Sequence, residues 1–280
     1  MLDGLSETAL FTLWCRGSEA SRSDAIITDP HAVRLLAALD YPFFQKFGKA
    51  NQIYAIRALA FDSVVREFLS EYPHGTVVAL AEGLQTSYWR LGPADCRWLS
   101  VDLPEVVSIR RQLLPAEPNI VSVGASALQL SWAEHVRPDA PVLITAEGLL
   151  YYFDEHSALG LIAECARRFP GGRMVFDSVP RWWAGRRNKA FSVSSAVTGS
   201  RVGTAGYTFP PMPFGISPRE IRQFPRQIAG VGSTRQISPP SGRGVHGRIV
   251  QAGYRSSVVP TALRFAITEL RFHSESRGNR

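Results

Sequence analysis

Residues Thr76-Val-Val-Ala-Leu-Ala-Glu-Gly-Leu-Gln-Thr86 open as a buried strand and run into a turn that carries a single glycine. The run from Val77 to Leu80 reads as a buried strand, and the strands around Val142 and Val175 are apolar throughout rather than alternating, the pattern of strands covered on both faces in a parallel sheet. A nucleotide-binding turn at such a strand end usually carries two or three glycines, which let the backbone approach the ligand. Here Gly83 alone offers that approach, and Ala81 and Glu82 replace the others. Glu82 would repel a pyrophosphate at a helix N-terminus, so the turn disfavours a dinucleotide.

Strand and helix signals alternate outward from this stretch. A helix is expected over Gln52 to Tyr72, a second strand at Trp98 to Val101, and a helix from Pro104 to Leu114 with Val106, Ile109 and Leu113 on one face. Further strands are expected at Asn119 to Val123, Pro141 to Thr145 and Arg173 to Asp177, the last after a helix stopped by Gly171-Gly172. Segments at Ser233 to Ile237 and Gly247 to Gln251 are expected to close the sheet. This alternation predicts an α/β fold on a mostly parallel sheet.

The flanks read differently. Residues 5 to 50 are expected to be helical, with Ser6 and Asp29-Pro30 as cap signals. Pro180 to Phe214 mixes aromatic and proline residues with glycine and serine and reads as a lid-like insertion; Ser217-Pro-Arg-Glu220 is a capping box that restarts a helix. One domain is expected over 1-280, with a helical lobe at 1-50, a core at 51-180, the insertion at 181-216 and the rest of the core at 217-280.

Composition excludes several classes. With 280 residues, 45% of them hydrophobic, the chain can bury a large core. The longest apolar run, Pro141 to Phe153, is interrupted by Glu147 and is too short to span a bilayer. Asp3 and Glu7 precede any apolar block, which does not read as a secretory signal. A cytoplasmic protein without a membrane partner is the expectation.

Cys15, Cys96 and Cys165 have no metal-ligand spacing, and their odd number argues against a disulfide framework. The formal charge of +7 comes from scattered arginines rather than one basic stripe, so no nucleic-acid partner is expected. The stretch Arg271 to Arg280 reads as a basic, polar terminus.

Candidate binding residues sit at strand ends. About twenty residues past the turn, Trp98-Leu-Ser-Val-Asp102 closes the second strand with a carboxylate, the place from which an acid accepts hydrogen bonds from ribose hydroxyls. Turn and acid together suit a nucleoside without phosphates, of which S-adenosyl-L-methionine is the common cofactor. Arg57 lies in an apolar stripe with Ile53, Ile56, Ala60 and Val64 and needs an anion, because an unpaired buried charge costs several kcal/mol. That anion is either the cofactor's carboxylate or a structural partner, Glu147 or Asp62; Glu147, at the end of the fourth strand, is equally placed for the cofactor's ammonium.

These residues carry a resemblance. The arginine-bearing helix, Gly83 with Thr86, Asp102-Leu-Pro-Glu-Val106 and Glu147-Gly-Leu-Leu-Tyr151 resemble the leucine carboxyl methyltransferase-like family of S-adenosylmethionine-dependent O-methyltransferases, which includes polyketide O-methyltransferases. The resemblance is strongest in the sheet core, and Thr8-Ala9 with Asp29-Pro30 also fits. It implies a Rossmann-like class I methyltransferase fold with seven strands and helices on both faces. It also implies that Arg57 holds the cofactor carboxylate, that Gly83 lines the methionine, that Asp102 binds ribose and that Glu147 sits near the amino group, with Ala81, Leu103 and Tyr151 also among the cofactor-binding residues. The family's adenine contact maps onto Leu128 and Gln129.

Three departures stand out. Ala81 replaces a glycine, Gln85 an aspartate and Ser87 a common arginine. Ala81 is tolerable where its φ stays negative. These departures leave open a non-catalytic, cofactor-binding member of the same fold.

The leading expectation is an O-methyltransferase acting on a carboxylate or hydroxyl of a small molecule. Methyl transfer is an in-line displacement that needs alignment and dryness rather than a metal or a covalent residue. Trp182, Trp183, Tyr207, Phe209, Met212 and Phe214 are the candidate acceptor wall, with ordinary lid packing as the equal alternative. No histidine sits in a strand-end motif, and that favours an acidic or ionised acceptor.

Overall fold

The computed structural model describes residues 7–92, 95–137, 139–184, 207, 209–255, 260–261 and 264–274. Ser6, most of the expected insertion and residues 275–280 lie outside them.

The sheet has seven strands: β1 Thr76–Leu80, β2 Arg97–Asp102, β3 Ile120–Gly124, β4 Val142–Ala146, β5 Arg173–Ser178, β6 Val231–Gln236 and β7 Ala266–Phe272. Their order is β3-β2-β1-β4-β5-β7-β6. Pairings from β3 through β5 are parallel, and β7 runs antiparallel to both β5 and β6. This is the seven-stranded, mostly parallel arrangement that the resemblance implies. The chain winds outward from β1 through β2 and β3, then crosses to β4 on the other side of β1. Strand order therefore reverses between β1 and β4, which is where open α/β sheets bind ligands.

Every residue of β1, β4 and β5 is buried, as the apolar runs at their centres require. On one face, Phe61, Val64, Val65 and Phe68 of α4 (Ile53–Glu71) pack on Val77, Ala79, Leu143 and Val175. On the other, Ala158, Leu161, Ile162 and Cys165 of α7 (Glu155–Arg168), which follows α5 (Ser87–Leu91) and α6 (Pro104–Leu113), pack on Val78, Ile144, Met174 and Phe176. All three cysteines are buried. Preceding the sheet, α1 (Glu7–Ala20), α2 (Pro30–Ala38) and α3 (Phe43–Phe47) share a separate apolar cluster. Asp29 caps α2 by accepting from the Ala32 amide, and Ser217 and Glu220 close a reciprocal capping box on α8 (Pro218–Ile221). No helix among the described residues is long and apolar enough to cross a membrane.

Two expectations fail at the C-terminal end. Gly247 to Gln251 is not a strand but part of a helix, Gly244–Arg255. The closing strand is β7, which contains Arg271 and Phe272 from the segment expected to be a polar terminus. Its centre holds Glu269, fully buried, whose charge is met by Arg235 of β6 at 2.7 Å. A strand that buries a charge against a partner from another strand has no apolar signature of its own.

Candidate active site

The turn after β1 departs from expectation in its backbone. Ala81 takes φ +49° and Gly83 φ +53°. Ala81 is therefore left-handed, at a cost of about 1–2 kcal/mol for a residue with a Cβ. The turn is held from several sides. Asp102 Oδ2 accepts the Gly83 N–H at 2.6 Å, Arg110 donates to the carbonyls of Gly83 and Gln85 at 2.6 and 2.9 Å, and Arg16 donates to the Leu84 carbonyl at 2.7 Å. A Cβ at Gly83 would lie 3.5 Å from Ala9 of α1, so the helical lobe sits directly over the turn.

Glu82 does not face a ligand. Its carboxylate turns inward, 2.7 Å from Arg110 and 3.1 Å from the Trp98 indole N–H, so it exerts the repulsion expected of it on nothing at the turn's outer surface. Burial pushes its pKa up, and Arg110 offsets only part of that rise.

Arg57 projects from α4 to the ends of β4 and β5. Its Nε donates to Glu147 at 2.9 Å, and one terminal nitrogen donates to Asp177 at 3.2 Å and to the Tyr151 hydroxyl at 3.3 Å. Of the two structural partners weighed for it, Glu147 is the one it meets; Asp62 belongs to Arg90, at 2.8 Å. Burial works to strip Arg57 of its proton, but Glu147 and Asp177 outweigh it and hold the guanidinium charged. Burial also raises Glu147, beyond what Arg57 offsets.

Two further groups complete this end. Gly148, at φ +70°, gives its N–H to Asp177 at 2.6 Å, and a Cβ there would press on Arg57 and the Tyr151 hydroxyl at 3.2–3.3 Å. Gln85 donates to Glu147 at 2.7 Å, and its side-chain oxygen Oε1 is buried without a hydrogen-bond partner. Ala81, Gln85, Thr145 and Glu147 line a pocket between the ends of β1 and β4. Asp177 was not among the sequence candidates; its one legible signal was its place at the end of the apolar fifth strand.

Asp102 ends β2 with its carboxylate on the Gly83 and Leu103 amides, and burial raises its pKa more than these donors lower it. Beside it Leu103 is 49% exposed, and Leu128, after β3, is 39% exposed. Gln129 is drawn back to cap its own turn, its side-chain oxygen accepting from the Ser126 amide at 3.2 Å.

The candidate acceptor wall separates into three groups. Tyr207, Phe209 and Met212 pack with the helical lobe, where the Tyr207 hydroxyl lies 2.9 Å from that of Thr8. Trp182 and Trp183 meet edge-on, and Trp183 meets Phe265. Phe214 is 2% exposed and packs inside the main sheet core. The described histidines 135 and 156 are exposed, and His31 stacks on Trp89 at the lobe.

A family model for leucine carboxyl methyltransferase matches residues 9–166. The tetracenomycin polyketide synthesis O-methyltransferase of Streptomyces glaucescens is 32% identical over 184 residues, which cover 65% of this chain and 68% of that protein. A putative S-adenosyl-L-methionine-dependent methyltransferase of Parafrankia is 30% identical over 198 residues, covering 62% of this chain and 63% of its own length. The chain thus spans about two thirds of the length of these relatives. Among solved structures, a DUF574 family protein from Streptomyces avermitilis superposes with a TM-score of 0.52 at 11% identity, over 94% of this chain and 96% of that one, a likeness of fold.

Proposed function

Because the chain belongs to the leucine carboxyl methyltransferase family, we propose that it is an S-adenosylmethionine-dependent O-methyltransferase whose cofactor lies across the carboxyl ends of β2, β1 and β4. The observation that carries this placement is the Asp102 carboxylate, fixed on the Gly83 amide at the reversal of strand order. Its free lone pairs suit ribose hydroxyls, and the exposed Leu103 and Leu128 offer apolar surface to an adenine.

The residues present fit the other end of the cofactor too. Arg57 retains a terminal nitrogen for a carboxylate. Glu147, with the unpartnered Gln85 oxygen beside it, suits an ammonium. Tyr151 holds Arg57 from behind. When bound, the cofactor supplies an electrophilic methyl group on a sulfonium. The chain's part is to orient it, exclude water and align the acceptor oxygen, roughly 3 Å from the methyl carbon.

The acceptor is a small molecule with an acidic oxygen, a carboxylic acid or an activated phenol. The relative from Streptomyces glaucescens acts in polyketide synthesis, and the aromatic side chains at Tyr207, Phe209, Trp182 and Trp183 suit a planar acceptor of that kind. Calorimetric titration with S-adenosylmethionine and S-adenosylhomocysteine tests the cofactor reading. Saturable one-to-one binding is expected; absence of heat with both sinks it.

A further inference from the structure

The buried charges around the β1 turn and the ends of β2, β4 and β5 do not balance. Arg16 and Arg90 are matched by Asp29 and Asp62, and Arg110 by Glu82. Arg57, in contrast, faces two carboxylates, Glu147 and Asp177. Asp102 makes no ion pair among the described residues and rests on backbone amides. Two negative charges are left over, one at each end of the proposed cofactor site, inside a chain whose formal charge is +7. Burial raises the pKa of both Asp102 and Glu147, and Arg110 and Arg57 offset only part of that rise.

We infer that Asp177 is a specificity-determining residue which, with Asp102, makes this pocket prefer the cationic sulfonium donor to its neutral thioether product. The inference rests on the cofactor placement proposed above. In the transfer the methyl carbon passes to the acceptor oxygen, and the electron pair of the broken C–S bond stays on sulfur, so the cofactor loses its positive charge. The unmatched carboxylates then face a neutral sulfur, and the attraction that came from the sulfonium is lost while the contacts to ribose, ammonium and carboxylate remain. Donor and product differ by one methyl group and one charge, and only the charge is seen by carboxylates that do not touch the sulfur. Asp177 is well placed for the role. It sits at the strand end beside the reversal of strand order, held there by the Gly148 amide and Arg57.

Asp177→Asn removes the charge while leaving an oxygen for the Gly148 N–H. Calorimetry on the full chain should show the Kd for S-adenosylmethionine rising by about 10-fold and that for S-adenosylhomocysteine by less than about 2-fold. Sinefungin, which carries an amine in place of the methylated sulfur, should follow the donor. Asp177→Glu keeps the charge and should keep the preference. If Asp177→Asn does not fold, Asp102→Asn applies the same test from another strand, and the ratio of the two affinities should again fall. Parallel losses for donor and product, or a Glu variant that loses the preference as the Asn variant does, would overturn the inference while the cofactor placement stands. Failure of the unmodified chain to bind either ligand overturns the placement, and this inference with it.

Discussion

Two buried charge networks meet at the adjacent residues Gln85 and Thr86, and they are built to different plans. In the first, Asp29 receives Arg16 at 2.9 Å, Arg90 at 2.9 Å, the Thr86 hydroxyl and the Ala32 amide, while Arg90 also grips Asp62 at 2.8 Å. Charges are matched and donors are used up, and the network joins the helical lobe, α4 and the helix Ser87–Leu91 behind the β1 turn. In the second, Arg57 meets two carboxylates, Gln85 keeps an unpartnered oxygen, and Asp102 has amides where a cation would balance it. A saturated network can only hold the fold, whereas an unsaturated one retains capacity for a ligand.

The contrast is broken most severely at Asp29. Asp29→Ala leaves Arg16 and Arg90 buried and short of a counter-charge, and should lower unfolding free energy by about 3–5 kcal/mol in denaturant titration. Burial alone would raise the Asp29 pKa, but Arg16, Arg90 and Thr86 more than reverse it. Its folded value lies below its unfolded one, so its contribution is full above the unfolded pKa and is lost as pH falls through the folded pKa. Asp102 and Glu147 shift the opposite way, and protonate at higher pH than Asp29. Acidification should therefore weaken cofactor binding before it unfolds the protein, and coincident transitions by calorimetry and circular dichroism would erase the distinction between the networks.

Next in size, Asp102→Ala should weaken S-adenosylmethionine binding by about 1.5–3 kcal/mol, the range for hydrogen bonds to a charged group. The unfolding midpoint should move little; an unchanged affinity in a folded variant would remove Asp102 from the ribose.

Arg57→Lys sharpens the comparison further. A lysine keeps the charge that Glu147 and Asp177 require but not the planar fork that addresses several acceptors at once. S-adenosylmethionine should bind about 10-fold more weakly, whereas 5′-methylthioadenosine, which lacks the amino-acid end, should lose less than about 2-fold. Equal losses would assign Arg57 to the fold alone.

The smallest expected effect is on the chemical step. An acidic acceptor is already a nucleophile, and His135 and His156 are exposed while His31 stacks on Trp89. Methyl transfer should be nearly flat from about pH 6.5 to 8.5. A single ionisation near roughly pH 6.5 that vanishes in one histidine-to-alanine variant would point to a hydroxyl acceptor with a base.

Much of this was legible in the chain itself. The unbroken apolar runs at Val77, Val142 and Val175 specify strands covered on both faces, because only a parallel sheet between helix layers buries both sides of a strand. The caps at Asp29 and Ser217 are local, since a side chain accepts from an amide a few residues on. The carboxylate at Asp102 and the stranded cation at Arg57 were visible as polar residues in places that demand a partner.

The choice of partner belonged to the tertiary structure. Arg57 took Glu147 and Asp177 rather than Asp62 because the ends of β4 and β5 come to lie side by side, and no local spacing encodes that. Ala81 took a positive φ because Asp102 and Arg110 hold the turn on both sides, overriding the preference of its Cβ. Glu82 turned inward because Arg110 and Trp98 wait beneath it. β7 formed around Glu269 because Arg235 stands on the neighbouring strand. In each case the energy is an interaction between groups far apart in sequence, so the residue announces a need and only the fold decides what meets it.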